Sequence, residues 1–149
     1  MILNSDGSGK TNITPNNFHC TSPSWSPDGN RIAFIANDKS IYIVNSDGTD
    51  PVPIFSDSVA IRGLDWSPTD NLIAFSAFGN EEDLEIYTIH SDGSNMTNLT
   101  NNNSNEVYPS WSQDGMQIAY NLAADYTSLL YIMNSDGSNQ QEIRIEKNY

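Results

Sequence analysis

The chain has 149 residues, of which 37% are hydrophobic; that is the length of one ordinary domain with a core of its own. Its formal net charge is −13 with only 6 Lys+Arg, so it lacks the basic stripe that would neutralise phosphates, which argues against nucleic acid and anionic membrane surfaces as partners. No apolar run approaches the ~18–20 residues of a spanning helix, which argues against membrane insertion, and the single Cys20 allows no internal disulfide.

In chain order, the first segment is Met1-Ile2-Leu3-Asn4-Ser5-Asp6-Gly7-Ser8. It has neither the basic region nor the apolar core of a secretory leader. It reads as a strand running into a tight turn, where Asp caps its own turn and Gly takes positive φ. The same unit returns as Tyr42-Ile43-Val44-Asn45-Ser46-Asp47-Gly48-Thr49, as Tyr87-Thr88-Ile89-His90-Ser91-Asp92-Gly93-Ser94 and as Tyr131-Ile132-Met133-Asn134-Ser135-Asp136-Gly137-Ser138.

A second unit alternates with it. Pro23-Ser24-Trp25-Ser26-Pro27-Asp28-Gly29 is followed by Arg31-Ile32-Ala33-Phe34. It returns as Leu64-Asp65-Trp66-Ser67-Pro68-Thr69-Asp70 before Leu72-Ile73-Ala74-Phe75, and as Pro109-Ser110-Trp111-Ser112-Gln113-Asp114-Gly115 before Gln117-Ile118-Ala119-Tyr120. Trp25, Trp66 and Trp111 lie 41 and 45 residues apart. A period of roughly 40–50 residues with four strand-like segments per unit is the signature of propeller blades.

The strands of one blade follow from residue type. The first ends at the Trp (residues 22–25, 61–66 and 107–111), and its Trp is an expected core anchor. The second (31–36, 72–77 and 117–122) is apolar almost without alternation, as befits a strand covered on both faces. The third (41–45, 84–90 and 129–134) carries the recurrent Tyr. The fourth (52–55, 96–100 and 141–145) is short and polar, as an outer edge should be. Residues 78–83 and 123–128 read as longer loops, and no segment shows helical period with caps. The expected fold is all-β: a partial propeller, one segment over residues 1–149. It comprises a half-blade at 1–14 and three four-stranded antiparallel blades at 15–57, 58–100 and 101–149. Three blades do not close a ring, since propellers have four to eight.

These units resemble the TolB-type β-propeller repeat family, a relative of the WD-repeat propellers. The resemblance rests on the Tyr-x-hydrophobic-Asn-x-Asp-Gly turn, the Pro-x-Trp-Ser-Pro-Asp-Gly turn and the Ile-Ala-Phe strand. The second blade departs from it with Asp65 before its Trp and Thr69-Asp70-Asn71 in its turn, and the third with Gln113 in place of Pro. The resemblance implies a binding role in the periplasm or at the cell surface, gating of a peptidase or hydrolase, or a surface module that holds calcium. Fold alone does not choose among these.

The candidate site residues are carboxylates. Asp47 and Asp50 offer oxygens at alternate turn positions, as a calcium ligand set does, but the flanking helices and twelfth-position Glu of an EF-hand are absent. Asp65 stands where the other blades have Ser24 and Ser110, so it is a candidate for a cation or a partner, and Asp70 is a second partner candidate. His19 and His90 have no neighbour at metal-ligand spacing. No Gly-x-Ser-x-Gly elbow is present, and Gly7-Ser8-Gly9-Lys10-Thr11 lacks the spacing of a phosphate loop. No catalytic set is expected. The reading is a non-enzymatic binding or scaffold module for a protein or peptide, acidic enough to favour a basic or cation-bridged ligand. A homodimer of half-propellers, or neighbouring repeats in a longer chain, would cover its open ends.

Overall fold

The computed structural model describes residues 1–14, 18–58, 60–79, 83–124 and 127–144. Twelve strands form three four-stranded antiparallel sheets, and no helix occurs among the described residues. The first sheet is β1 (Cys20–Trp25), β2 (Arg31–Ala36), β3 (Ser40–Asn45) and β4 (Val52–Ser56), hydrogen-bonded in that order. The second is β5 (Arg62–Trp66), β6 (Leu72–Phe78), β7 (Leu84–His90) and β8 (Thr97–Asn98). The third is β9 (Asn105–Trp111), β10 (Gln117–Ala124), β11 (Thr127–Asn134) and β12 (Gln141–Glu142). Ahead of them, Ile2 and Thr11 pair through one antiparallel bridge, so the N-terminal half-blade is a narrow hairpin. The sheets are the open meanders of a partial propeller.

The turns form as the sequence dictates. In the first blade the Ser26 N–H donates to the Arg31 carbonyl, and the Gly29 N–H donates to the Ser26 carbonyl, both at 2.9 Å. Asp28 Oδ1 accepts the Asn30 N–H at 3.0 Å. At the other end of the blade the Gly48 N–H donates to the Asn45 carbonyl at 2.8 Å, with Gly48 at φ +88.

The core is a series of layers, one at each blade junction. Alternate residues of β2 serve different layers. Ile32, Phe34 and Ala36 pack with Ile2, Ile13 and Phe18 of the N-terminal segment. Ala33 and Ile35 pack with Trp66, Ile73 and Phe75 of the second blade. In β6, Ala74 and Leu72 join Trp111, Ile118 and Tyr120 of the third. This two-sided use is why the second strands are nearly continuous apolar runs.

Several boundaries differ from expectation. β1 and β9 begin two residues early because each continues across a bulge, at Ser22 (φ 49) and Tyr108 (φ 56), where β5 has Gly63 (φ 67). Such a residue is accommodated without ending the strand. The expected loop at 123–128 is instead a hairpin extension, with Ala123 paired to Ser128 and Ala124 to Thr127. The outer strands β8 and β12 are shorter than expected, at two residues each. Residues 15–17, 59, 80–82 and 125–126 of the expected linkers and loops, and residue 145 of the expected last strand, lie outside the described residues. The expected anchoring role of Trp25 is corrected: it is 51% exposed, against 3% for Trp66 and 9% for Trp111. The side that would cover it has a hairpin in place of a whole blade.

One contact repeats at every junction. A Cβ on Gly48 would sit 3.1 Å from Ile13 Cα, and one on Gly93 or Gly137 would sit 2.8 Å from the carbonyl oxygen of Ile54 or Leu99 in the preceding blade. Gly7, the first of the series, faces open space. Gly93→Ala therefore combines positive-φ strain with a backbone collision and should destabilise by about 2–3 kcal/mol, whereas Gly7→Ala carries the φ cost alone, about 1 kcal/mol. Urea unfolding of the two variants measures the difference.

Candidate functional site at the blade junctions

Asp65 sits at the centre of the arc, on the innermost strand β5. Its Oδ1 accepts the Ser24 hydroxyl of the first blade at 2.9 Å. Its Oδ2 accepts the Trp111 N–H of the third blade at 2.8 Å and the Ser110 hydroxyl at 3.3 Å. One carboxylate thus ties three blades. Ser24, its counterpart in the first blade, accepts the Trp66 N–H at 3.0 Å. At both junctions the residue before one Trp therefore receives the backbone N–H of the next Trp, and a hydroxyl or a carboxylate does the same job. A cation–π contact adds to the first junction, with Arg31 5.2 Å from the Trp66 ring centroid.

The other candidate carboxylates lie in turns. Asp47 Oδ1 accepts the Thr49 hydroxyl at 2.6 Å and the Thr49 N–H at 2.9 Å, and the hydroxyl bond leads in holding its pKa below the usual value. Asp6, Asp92 and Asp136 make the same pair of bonds to Ser8, Ser94 and Ser138. Asp50 accepts from Asn45 Nδ2 at 3.2 Å within the same turn as Asp47, and Asp70 accepts the Asn71 N–H at 2.7 Å. The structure brings Asp47 and Asp50 into one turn but does not bring them to Asp65 or Asp70. Among the described residues no group of three or more His, Cys, Asp or Glu side chains could hold a metal ion. Cys20 is half-buried, its Sγ 3.6 Å from the Phe18 carbonyl.

Sequence reasoning missed a buried carboxylate pair. Glu85 of β7 and Glu106 of β9 are 4% and 1% exposed, and they meet at the junction of the second and third blades. The Thr100 hydroxyl donates to Glu85 Oε2. Asn102 bridges the pair, its N–H to Glu85 Oε1 at 2.8 Å and its Nδ2 to Glu106 Oε1 at 3.1 Å. Among the described residues, Glu106 Oε2 is buried without a hydrogen-bond partner. Desolvation, aided by the neighbouring Glu85 charge and opposed by the Asn102 bond, raises the Glu106 pKa to about 7. Burial, aided by the Glu106 charge, raises the Tyr120 hydroxyl to about 12. The missed signal was in the register. Five residues before the three Trp residues stand Cys20, Ile61 and Glu106, so a carboxylate replaces an apolar core residue. Phe55, which packs with Ile61 in the first layer, is matched in the repeat by Thr100.

Comparison with known proteins agrees with this architecture. The family model described as the TolB β-propeller domain matches residues 1–149. No curated protein matches the sequence. Among solved structures, a putative TolB from Agrobacterium tumefaciens aligns with a TM-score of 0.78 at 19% identity, covering 86% of this chain and 50% of that one. TolB from Acinetobacter baumannii aligns at 0.78 and 17%, covering 97% and 37%. A chain of a nidogen/laminin complex aligns at 0.75 and 17%, covering 91% and 52%. The chain thus spans about half or less of the length of these structures.

Two outcomes follow from the junction chemistry. Asp65→Ala should cost about 2–3 kcal/mol in chemical unfolding, because it removes bonds to two neighbouring blades, while Asp65→Ser, the residue of the sister blades, should restore part of that loss. The Glu106 pKa is raised on folding, so its stabilising contribution is complete below the ordinary Glu value of 4.5 and is lost as pH rises through about 7. Thermal unfolding should therefore show Tm falling between pH 5 and pH 8. In Glu106→Gln that fall should be largely absent.

Proposed function

The chain belongs to the TolB β-propeller domain family, and from that premise we propose that it is a non-enzymatic binding or scaffold segment that engages a protein or peptide partner. The observation that carries this reading is the uncovered face of the first blade, where Trp25 stands 51% exposed on a surface its sister blades bury. An exposed aromatic on an apolar face is the usual chemistry of a protein-interaction site. The likeness to a chain of a nidogen/laminin complex supports a protein partner.

Charge refines the partner. With a net charge of −13, the field around the arc attracts cationic segments and repels acidic ones. The ligand is a basic, or cation-bridged, protein segment. The open ends are covered by a second copy, most simply in a dimer of half-propellers, or by neighbouring repeats in a longer chain.

Two measurements test this. On a peptide array, basic peptides should be retained over acidic and neutral ones, and retention should fall at 0.5 M salt; retention indifferent to peptide charge contradicts it. Sedimentation velocity at micromolar concentration should give a dimer for the chain alone. A stable folded monomer removes the dimer and leaves neighbouring repeats as the cover.

A further inference from the structure

Three residues of the first blade depart from the repeat, and all three line one cleft. Arg31 opens β2, where the sister strands open with Leu72 and Gln117. Val52 opens β4, where the sisters have Thr97 and Gln141. Asp50 stands where they have Asn95 and Asn139, in the same left-handed conformation (φ 51 against 53 and 55). The cleft has a volume of about 350 Å³ and lies at the junction of the first and second blades. Ile43 and Ile54 join Val52 in its apolar wall, and Asp92 enters it from the turn of the second blade.

The next junction forms without any of the three. There Leu72 packs in the layer that holds Trp111, so an apolar side chain suffices where Arg31 lies over the Trp66 ring. The Arg31 charge has no fixed partner. Among the described residues its guanidinium makes no ion pair and donates no hydrogen bond, and Asp28 is only within range of its charge. The two carboxylates of the cleft are likewise half used among the described residues. Asp50 accepts from Asn45 through Oδ2 and keeps Oδ1 open. Asp92 accepts from Ser94 through Oδ1 and keeps Oδ2 open. Val52 is 54% exposed on a strand whose counterparts open with polar residues.

These groups select one kind of ligand. A guanidinium held against an indole ring, with its N–H fork unused, suits a carboxylate, which it binds through two parallel hydrogen bonds. Asp50 and Asp92 suit an ammonium group. With the net charge of −13, they oppose a multiply charged anion such as phosphate, while Arg31 opposes a metal cation. The wall of Ile43, Val52 and Ile54 suits an apolar body. We propose that the cleft binds a small zwitterion made of one or two apolar amino-acid residues. Its carboxylate lies on Arg31, its ammonium group at Asp50 and Asp92, and its side chains against Val52. This site takes a small molecule, and so goes beyond the protein partner proposed above.

The probes are free leucine and the dipeptide Leu-Leu, titrated into the chain by isothermal titration calorimetry. At least one should give a saturable heat with a single site, and saturation should move the Arg31 Nε–H resonance in NMR. Capping either charge, as the N-acetyl form or the C-terminal amide, should weaken binding about tenfold. Arg31→Gln and Asp50→Asn install the residues of the sister blades, so the fold should tolerate them, and their unfolding midpoints check that. Arg31→Gln should bind the free acid no better than the amide. Asp50→Asn should lose most of the preference for the free amine over the N-acetyl form. Arg31→Lys, which keeps the charge without the fork, should lose part of the affinity. No saturable heat from either probe, equal binding of the capped forms, tighter binding of inorganic phosphate, or preferences unchanged in the variants overturns the proposal. None of these outcomes bears on the retention of basic peptides on the array, so each proposal can fail alone.

Discussion

The structure depends on one constraint: a four-stranded blade has two apolar faces and can cover neither of them alone. Each second strand sends alternate residues to opposite sides, so Phe34 and Ile35, adjacent in sequence, belong to different core layers. Stability therefore resides at the junctions between blades, as in repeat proteins whose units contact only their neighbours. The recurrent turns serve the same end, since Gly48, Gly93 and Gly137 make room for the outer segment of the unit before them.

The junctions share a geometry but not a chemistry. At the first, Phe55 meets Phe75 at 5.1 Å between ring centroids and the layer is apolar. At the second, Thr100, Asn102, Glu85 and Glu106 occupy the matching region. Buried carboxylates cost desolvation, and the cost falls when one of them keeps its proton. That makes the second junction the pH-sensitive one. The Asp65 carboxylate, in contrast, has both oxygens occupied by donors from neighbouring blades and ties the inner strands where hydroxyls serve elsewhere.

The fold was legible in the sequence because it repeats. Three Trp turns and four Asp-Gly turns set strand order and period, and the first turn unit was visible as a half unit. The second strands were read correctly as two-sided because Ile, Ala and Phe run together there. Trp25 was misjudged because its residue type is that of a buried anchor, while its environment is set by a neighbour that the sequence of its own blade does not describe. The Glu85–Glu106 pair went unseen for a related reason. Each Glu falls in a different repeat, 21 residues apart, and only the blade-to-blade register brings them together.

The account's central claim is that junctions, not individual blades, hold the chain together through the residue before each Trp. Amide hydrogen exchange at the three Trp backbones tests it most directly. The account predicts that the Trp66 and Trp111 amides exchange only through global unfolding, with matching free energies, while in the monomer the Trp25 amide exchanges from the native state. Equal protection at all three, or protection of Trp66 and Trp111 that differs blade by blade, would contradict it.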